Sequence, residues 1–321
     1  MSGRREEMVR CLGIAALVAV VSAMVAAGPT PLEGQEQRET AVGADRRGAG
    51  AYNWENADWA PMMLRDYGRP IVPVFEGWFQ NEDGTYTLVF GYASFNLSQA
   101  YDIPLGPDNF IEPAEFDGVQ PTHFAPVHPV IRRPWGAFTM VVPEDFGDRR
   151  VVWTVRHEGV TYSTPGHITA PSYMISDKIH DSRYRAALAG ATQVDVVGSY
   201  APELRFGASG PGGQGLAGIR AGPLSATVGE PLAITTWVDM GSMPDAWIWW
   251  NHYAGGPGEV SFSPPESQIP LVDGQGEVTT DVRFSEPGRY VLLVQAIEHL
   301  RNTFEYHCCW TNGYVEVNVT N

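Results

Sequence analysis

The sequence predicts an all-β protein: two antiparallel β-sandwich domains in tandem, preceded by a signal peptide and a flexible tether. Three observations carry this. Apolar residues recur with a period of two over many short segments, the pattern of half-buried strands. Glycine (35) and proline (25) punctuate those segments, as turns between short strands require. Asp83-Gly84 stands between two alternating runs, the strongest short-range hairpin signature. A chain of 321 residues is long for one domain and comfortable for two.

At the N-terminus Arg4, Arg5 and Arg10 precede an apolar or small-residue run from Cys11 to Gly28. Val25 and Ala27 suit signal-peptidase cleavage, so residues 1–28 read as a signal peptide. The run of about 18 residues also reaches the lower limit for a membrane span, which leaves an uncleaved anchor as the alternative. Residues 29–50 have almost no large apolar groups and read as a disordered tether. Residues 51–69, with Trp54, Met62, Met63 and Tyr67, read as an irregular arm. The expected location is exported: periplasmic, cell-surface or extracellular. Cleavage would remove Cys11 and leave Cys308 and Cys309.

The first sandwich-like domain spans 70–170. "PIVPVFEGWFQ" is a strand with a proline-marked edge. In the next strand Tyr86, Leu88, Phe90 and Tyr92 share one face, and Thr85, Thr87 and Val89 the other. "GAFTMVVP" is a third strand. "RRVVWTVRHEGVTYSTPG" is a second hairpin, turning near Glu158-Gly159. The proline-rich stretch between them breaks ladders and reads as ordered loop with short edge pieces. Residues 171–221 read as a linker, with a short helix over 181–192 and a glycine-rich segment over 207–218. That segment lacks G-x-x-x-x-G-K and a strand-then-helix setting, so it is no phosphate cradle. The second domain spans 222–321. Leu232, Ile234, Thr236 and Val238 share a face, as do Val278, Thr280, Val282 and Phe284, and Val315, Val317 and Val319. "GRYVLLVQA" is apolar on both faces, as in a central strand.

"VGEPLAITTWVD" and "FSEPGRYVLLVQA" resemble the immunoglobulin-like and polycystic-kidney-disease-like domains of bacterial secreted proteins. Gly229, Glu230 and Pro231, then Pro287, Gly288, Arg289 and Tyr290, carry the likeness, which covers the last third of the chain. It implies immunoglobulin-like sandwiches, with Tyr290 as the corner residue whose hydroxyl bonds back to the backbone. The polycystic-kidney-disease signature W-D-F-G-D-G is replaced by "AWIWWNHYAGGPGEV". "FEGWFQNEDGTYTLVFGY", "IPLGPDNFIEP" and "QPTHF" in the first domain are similar to uncharacterised exported bacterial proteins of two-part design, which brings no catalytic residues with it.

Net charge is −16 and the sequence pI about 4.8. Such a surface repels phosphate backbones and anionic lipid, which excludes nucleic acid and any membrane contact beyond the N-terminal segment. The sequence holds no H-E-x-x-H, C-x-x-C or G-x-S-x-G, so the reading leans away from an enzyme. A protein or glycan ligand on the cell surface is the expected partner class.

"FEYHCCWTNGYVEVNV" holds the sharpest candidate. In a regular strand His307 and Cys309 face one way, Cys308 and Trp310 the other. His299 would be a third ligand with His307 and Cys309, for copper in particular, but a closed zinc site wants four. A vicinal disulfide between Cys308 and Cys309 closes a tiny loop and is worth only ~1 kcal/mol, against ~3 for a 15-residue loop. The favoured reading is a strained corner, with Thr311 to Gly313 as a turn before the last strand. Glu112, Glu115 and Asp117 cluster in the long loop, where calcium could be held. No cofactor is predicted; copper and calcium are the candidates left open. Trp247 and Trp249 share one face of a strand and Trp250 the other. One face belongs to the core, and the other packs at a domain interface or forms an exposed aromatic binding face. The resulting expectation is a non-enzymatic exported protein working in adhesion, assembly or ligand presentation. The alternatives are a redox or copper-handling protein built on the His-Cys-Cys segment, and a carbohydrate-binding module built on exposed tryptophan.

Overall fold

The computed structural model describes residues 64–128, 133–175, 201–241, 244–298 and 310–321. The leader, the tether, most of the arm and the helix expected over 181–192 lie outside them, as do His299, His307, Cys308 and Cys309. Residues 61–321 form one compact unit, and it is all-β.

The first lobe is built from three small sheets. β1 (Ile71–Gln80), β2 (Tyr86–Ser94) and β6 (Phe138–Val142) form an antiparallel sheet in the order β1-β2-β6. β4 (Asn109–Glu112), β7 (Val151–His157) and β8 (Val160–Gly166) form another, in the order β4-β7-β8. β3 (Tyr101–Asp102) pairs with β5 (His123–Phe124). Leu88, Phe90 and Tyr92 enter the core as their alternation predicts, where they meet Phe75, Phe138 and Trp153. The hairpin turn falls at Glu158 and Gly159, both at positive φ.

The proline-rich loop is ordered by a buried polar knot. Asn109 Nδ2 donates to the carbonyls of Ile103 and Pro121, and its Oδ1 accepts the Trp153 indole N–H at 2.9 Å. Asp117 Oδ1 accepts from Ile111 N and Gln120 Nε2. Asp117 therefore holds the loop's own backbone, and does not gather with Glu112 and Glu115 into a calcium cage among the described residues.

The second lobe is an immunoglobulin-like sandwich. One sheet runs β10-β17-β16-β12-β14, from β10 (Ile219–Thr227), β17 (Trp310–Thr320), β16 (Gly288–Glu298), β12 (Asp245–Gly255) and β14 (Glu266–Pro270). The other runs β13-β15-β11-β9, from β13 (Val260–Ser263), β15 (Gln275–Phe284), β11 (Leu232–Asp239) and β9 (Glu203–Arg205). β10 lies parallel to β17; the other pairings are antiparallel. β13 pairs with β15 and β14 with β12, so the chain changes sheets at Pro264-Pro265 on its way back. The expected linker over 171–221 is corrected here: β9 and the start of β10 fall inside it and supply strands to both sheets. Ile234, Val238, Val282, Phe284, Leu292, Val294, Val315 and Val317 fill the space between the sheets.

A second correction concerns Thr311 to Gly313. They do not turn; they pair with Ala296, Gln295 and Val294 inside β17. Asn312 and Gly313 favour turns because of local hydrogen bonding and φ freedom, but here tertiary contacts win. Asn312 is fully buried, and a Cβ at Gly313 would lie 2.6 Å from the Phe206 ring.

Candidate functional site

The outer face of β12, β16 and β17 would be solvent-exposed in an isolated sandwich. Here it carries Trp247, Trp249, Tyr253, Leu293, Gln295, Ile297, Trp310, Asn312 and Tyr314, and the first lobe covers it. Tyr253, Leu293 and Tyr314 join the first lobe's own core. Trp247, Trp249, Ile297 and Trp310 form a second cluster with Val89, from the back of β2. This explains why β16 is apolar on both faces: one faces the partner sheet, the other faces the first lobe.

Polar tips on this face are matched to one segment of first-lobe backbone. Gln295 Nε2 donates to Trp135 O at 2.8 Å, Asn312 Nδ2 to Gly136 O at 2.7 Å, and the Tyr314 hydroxyl to Ala137 O at 2.7 Å. The Tyr253 hydroxyl donates to Val119 O, and Thr122 N donates to Tyr253 O at 3.1 Å. Buried carbonyls left unmatched cost free energy, so each pairing fixes the register of the lobes.

At one end of this seam three ligand-type side chains converge. Asp102 and His123 are directly opposed on the β3–β5 pair. His252 comes from β12 at a bulge between His252 and Ala254. Among the described residues, this is the group of three or more His, Cys, Asp or Glu whose donor atoms come together, all within 4.8 Å of one another. His123 Nδ1 donates to Asp102 Oδ1 at 2.8 Å. The His123 and His252 rings stack at 4.2 Å and 26°. His252 Nε2 donates to Gly255 O at 2.7 Å. Its Nδ1 therefore carries the lone pair. That atom is buried, with no hydrogen-bond partner among the described residues.

Electrostatics follow from this geometry. Burial, then the neighbouring His123, pushes the His252 pKa down to about 4, so the ring is neutral at pH 7. The hydrogen bond from His123 holds the Asp102 carboxyl below its usual range, so it is an anion there. The site thus offers two imidazoles and one carboxylate.

The tryptophans expected as an aromatic face are placed otherwise. Trp250 lies in the sandwich core beside Phe262 and Trp247 and Trp249 lie in the seam; their exposures are 5%, 6% and 4%. None of these three offers an open ring face to a sugar: the first lobe covers Trp247 and Trp249, and the sandwich core encloses Trp250. Tyr290 sits near the start of β16. Its hydroxyl donates to Glu286 O at 2.8 Å and accepts from Gly258 N at 3.2 Å. Gly256 lies so close that a Cβ there would collide with the ring. His299, His307, Cys308 and Cys309 are outside the described residues.

Sequence reasoning missed the Asp102, His123 and His252 cluster. The first two are 21 residues apart, and His252 lies 129 beyond His123. Only the pairing of β3 with β5 and the docking of Thr122 on β12 bring them together. The one usable clue is a histidine inside the strand "WIWWNHYAG".

No family model matches the chain, and no curated protein matches it. The solved structures to which it is similar include WR4, a C. elegans MSP family member, at 9% identity over 30% of this chain and 92% of that one, TM-score 0.22. The PapD-like domain 7 of human CEP192 is similar at 11% identity over 38% of this chain and 87% of that one, TM-score 0.26. The D00-D0 domain of intimin is similar at 12% identity, over 78% of this chain and 100% of that one, TM-score 0.24.

Proposed function

We propose that the chain is an exported, non-enzymatic binding or structural protein, acting as a rigid two-lobed β module in adhesion, assembly or ligand presentation. The observation that carries this reading is the seam. Aromatic and amide side chains that a catalytic cleft or sugar platform would present are spent on fixing one lobe to the other. A rigid body of this kind suits holding a surface in a defined orientation. The basic-then-apolar N-terminus supports export, and the net charge of −16 favours solubility.

The test has two arms. Fractionation of the native host should place the protein outside the cytoplasm, with residues 1–28 missing on mass analysis if the leader is cleaved. A broad hydrolase and oxidoreductase panel on the purified protein should give no turnover above buffer. Reproducible turnover that follows the protein through purification overturns the reading.

A further inference from the structure

The two nitrogens of His252 have different roles in the fold. Nε2–H is fixed by the Gly255 carbonyl, which sets both ring orientation and tautomer. Nδ1 is left as a buried acceptor without a donor, on a residue 6% exposed. An unsatisfied buried acceptor costs free energy that an apolar ring of similar size would avoid. The cost is understandable if Nδ1 has an occupant. Beside it lie the stacked His123 ring and the Asp102 carboxylate, whose donor atoms come within 4.8 Å of those of His252.

We propose that Asp102, His123 and His252 bind one divalent transition-metal cation, with His252 Nδ1 as the preformed ligand and His123 and Asp102 as the ligands that close on it. This goes beyond the reading above and does not depend on it.

The donor set selects the class of ion. Two imidazoles with one carboxylate suit zinc, copper(II), nickel or cobalt; calcium and magnesium prefer all-oxygen sites. Three protein ligands leave a fourth position open to water or an outside ligand. Bonds of about 2.0–2.2 Å put tetrahedral ligand atoms roughly 3.3 Å apart. The donors already lie within 4.8 Å of one another, His123 Nδ1 and Asp102 Oδ1 at 2.8 Å, so one shared ion rearranges them only slightly. The two imidazoles stack ring on ring, and meeting one ion with both in-plane lone pairs requires one ring to turn. His252 is locked by burial and by Gly255. His123 is partly exposed on a two-residue strand and is the one free to turn. Its hydrogen bond to Asp102 is exchanged for two metal bonds, one from each residue, and the proton on His123 Nδ1 moves to Nε2.

Charge favours the ion. The bond to Gly255 O keeps the His252 proton on Nε2, so Nδ1 has no proton to lose. Asp102 supplies one negative charge, and the chain's net charge of −16 raises the local cation concentration. Asp102 and His123 belong to the first lobe and His252 to the second, so a bound ion would staple the seam.

The experiment uses the tag-free full chain, stripped with a chelator, with Cys11→Ser. Cys308→Ser, Cys309→Ser and His307→Ala are introduced together as background, so that metal on that segment cannot be mistaken for this site. Zinc titrated by calorimetry should bind at one equivalent, and cobalt should give visible d–d bands without a thiolate charge-transfer band. Asp102→Asn and His123→Gln should each weaken zinc at least ~10-fold. Zinc should raise the melting temperature of the background protein and leave that of Asp102→Asn unmoved. The Asp102 side chain is mostly exposed, so that variant tests the site without endangering the fold. Absence of zinc and cobalt binding in the background protein overturns the proposal, as does affinity unchanged in both variants.

Discussion

Asn312 on the last strand donates its side-chain amide to the carbonyl of Gly136 at 2.7 Å, across 176 residues of chain. The same Nδ2 reaches Leu216 O at 2.9 Å, and Asn312 Oδ1 accepts from Gln295 Nε2 at 2.8 Å. One fully buried side chain thus ties the first lobe, the β9–β10 connection and two strands of the sandwich. Replacing it with alanine strands two carbonyls and an amide. Asn312→Ala should lower stability by ~2–4 kcal/mol, read from urea unfolding. A loss under ~0.5 kcal/mol, the level of an ordinary surface change, would mean that the bond does not hold the lobes.

The Tyr290 hydroxyl bridges Glu286 O and Gly258 N while its ring packs on Phe284 and His252. Tyr290→Phe keeps the ring and removes the bridge, and should cost ~1–2 kcal/mol. Tyr290→Ala also opens a cavity and should cost ~3–5 kcal/mol. Equal losses for the two would place the contribution in the hydroxyl alone.

The tryptophans give a contrast between binding and folding. Because Trp247, Trp249 and Trp250 are buried, acrylamide should quench their fluorescence weakly in the folded protein. Trp250→Ala should cost ~3–5 kcal/mol by cavity formation. A Trp250→Ala protein of unchanged stability that had lost a glycan ligand would restore the sugar-binding alternative.

Three buried phenols set an alkaline limit. Burial raises the pKa of Tyr92, Tyr253 and Tyr314 above the usual value near 10. Above pH 10 the unfolded chain releases these protons while the folded chain keeps them, so their contribution is intact below pH 10 and is lost as pH rises through the folded values. Far-UV circular dichroism against pH should show cooperative unfolding on the alkaline side, with these phenols ionising only as it occurs. Full tyrosine ionisation at pH 10–11 with the fold intact would contradict this.

What the sequence revealed follows from how each face is buried. In β11 and β15 one face meets the core of the sandwich, so Ile234 and Val282 stand out against small or polar neighbours. The turn at Glu158-Gly159 needed only φ freedom and was equally readable. The seam was not, because Gln295, Asn312 and Tyr314 look like ordinary outward residues until a second lobe covers them. Its trace was indirect: β16 apolar on both faces, and tryptophans on both faces of β12. β9 and β10 flank the glycine-rich segment 207–218, and β9 is three residues long, where alternation has no room to show. The Asp102, His123 and His252 cluster arises from strand pairing alone, and no local pattern encodes it.

Calorimetry combined with site-resolved hydrogen exchange on the full chain tests the joining of the lobes most directly. One transition, with equal calorimetric and van't Hoff enthalpies and matching protection in β2, β7, β12 and β16, is the predicted result. Two separable transitions, with one lobe exchanging fully while the other stays protected, would contradict it.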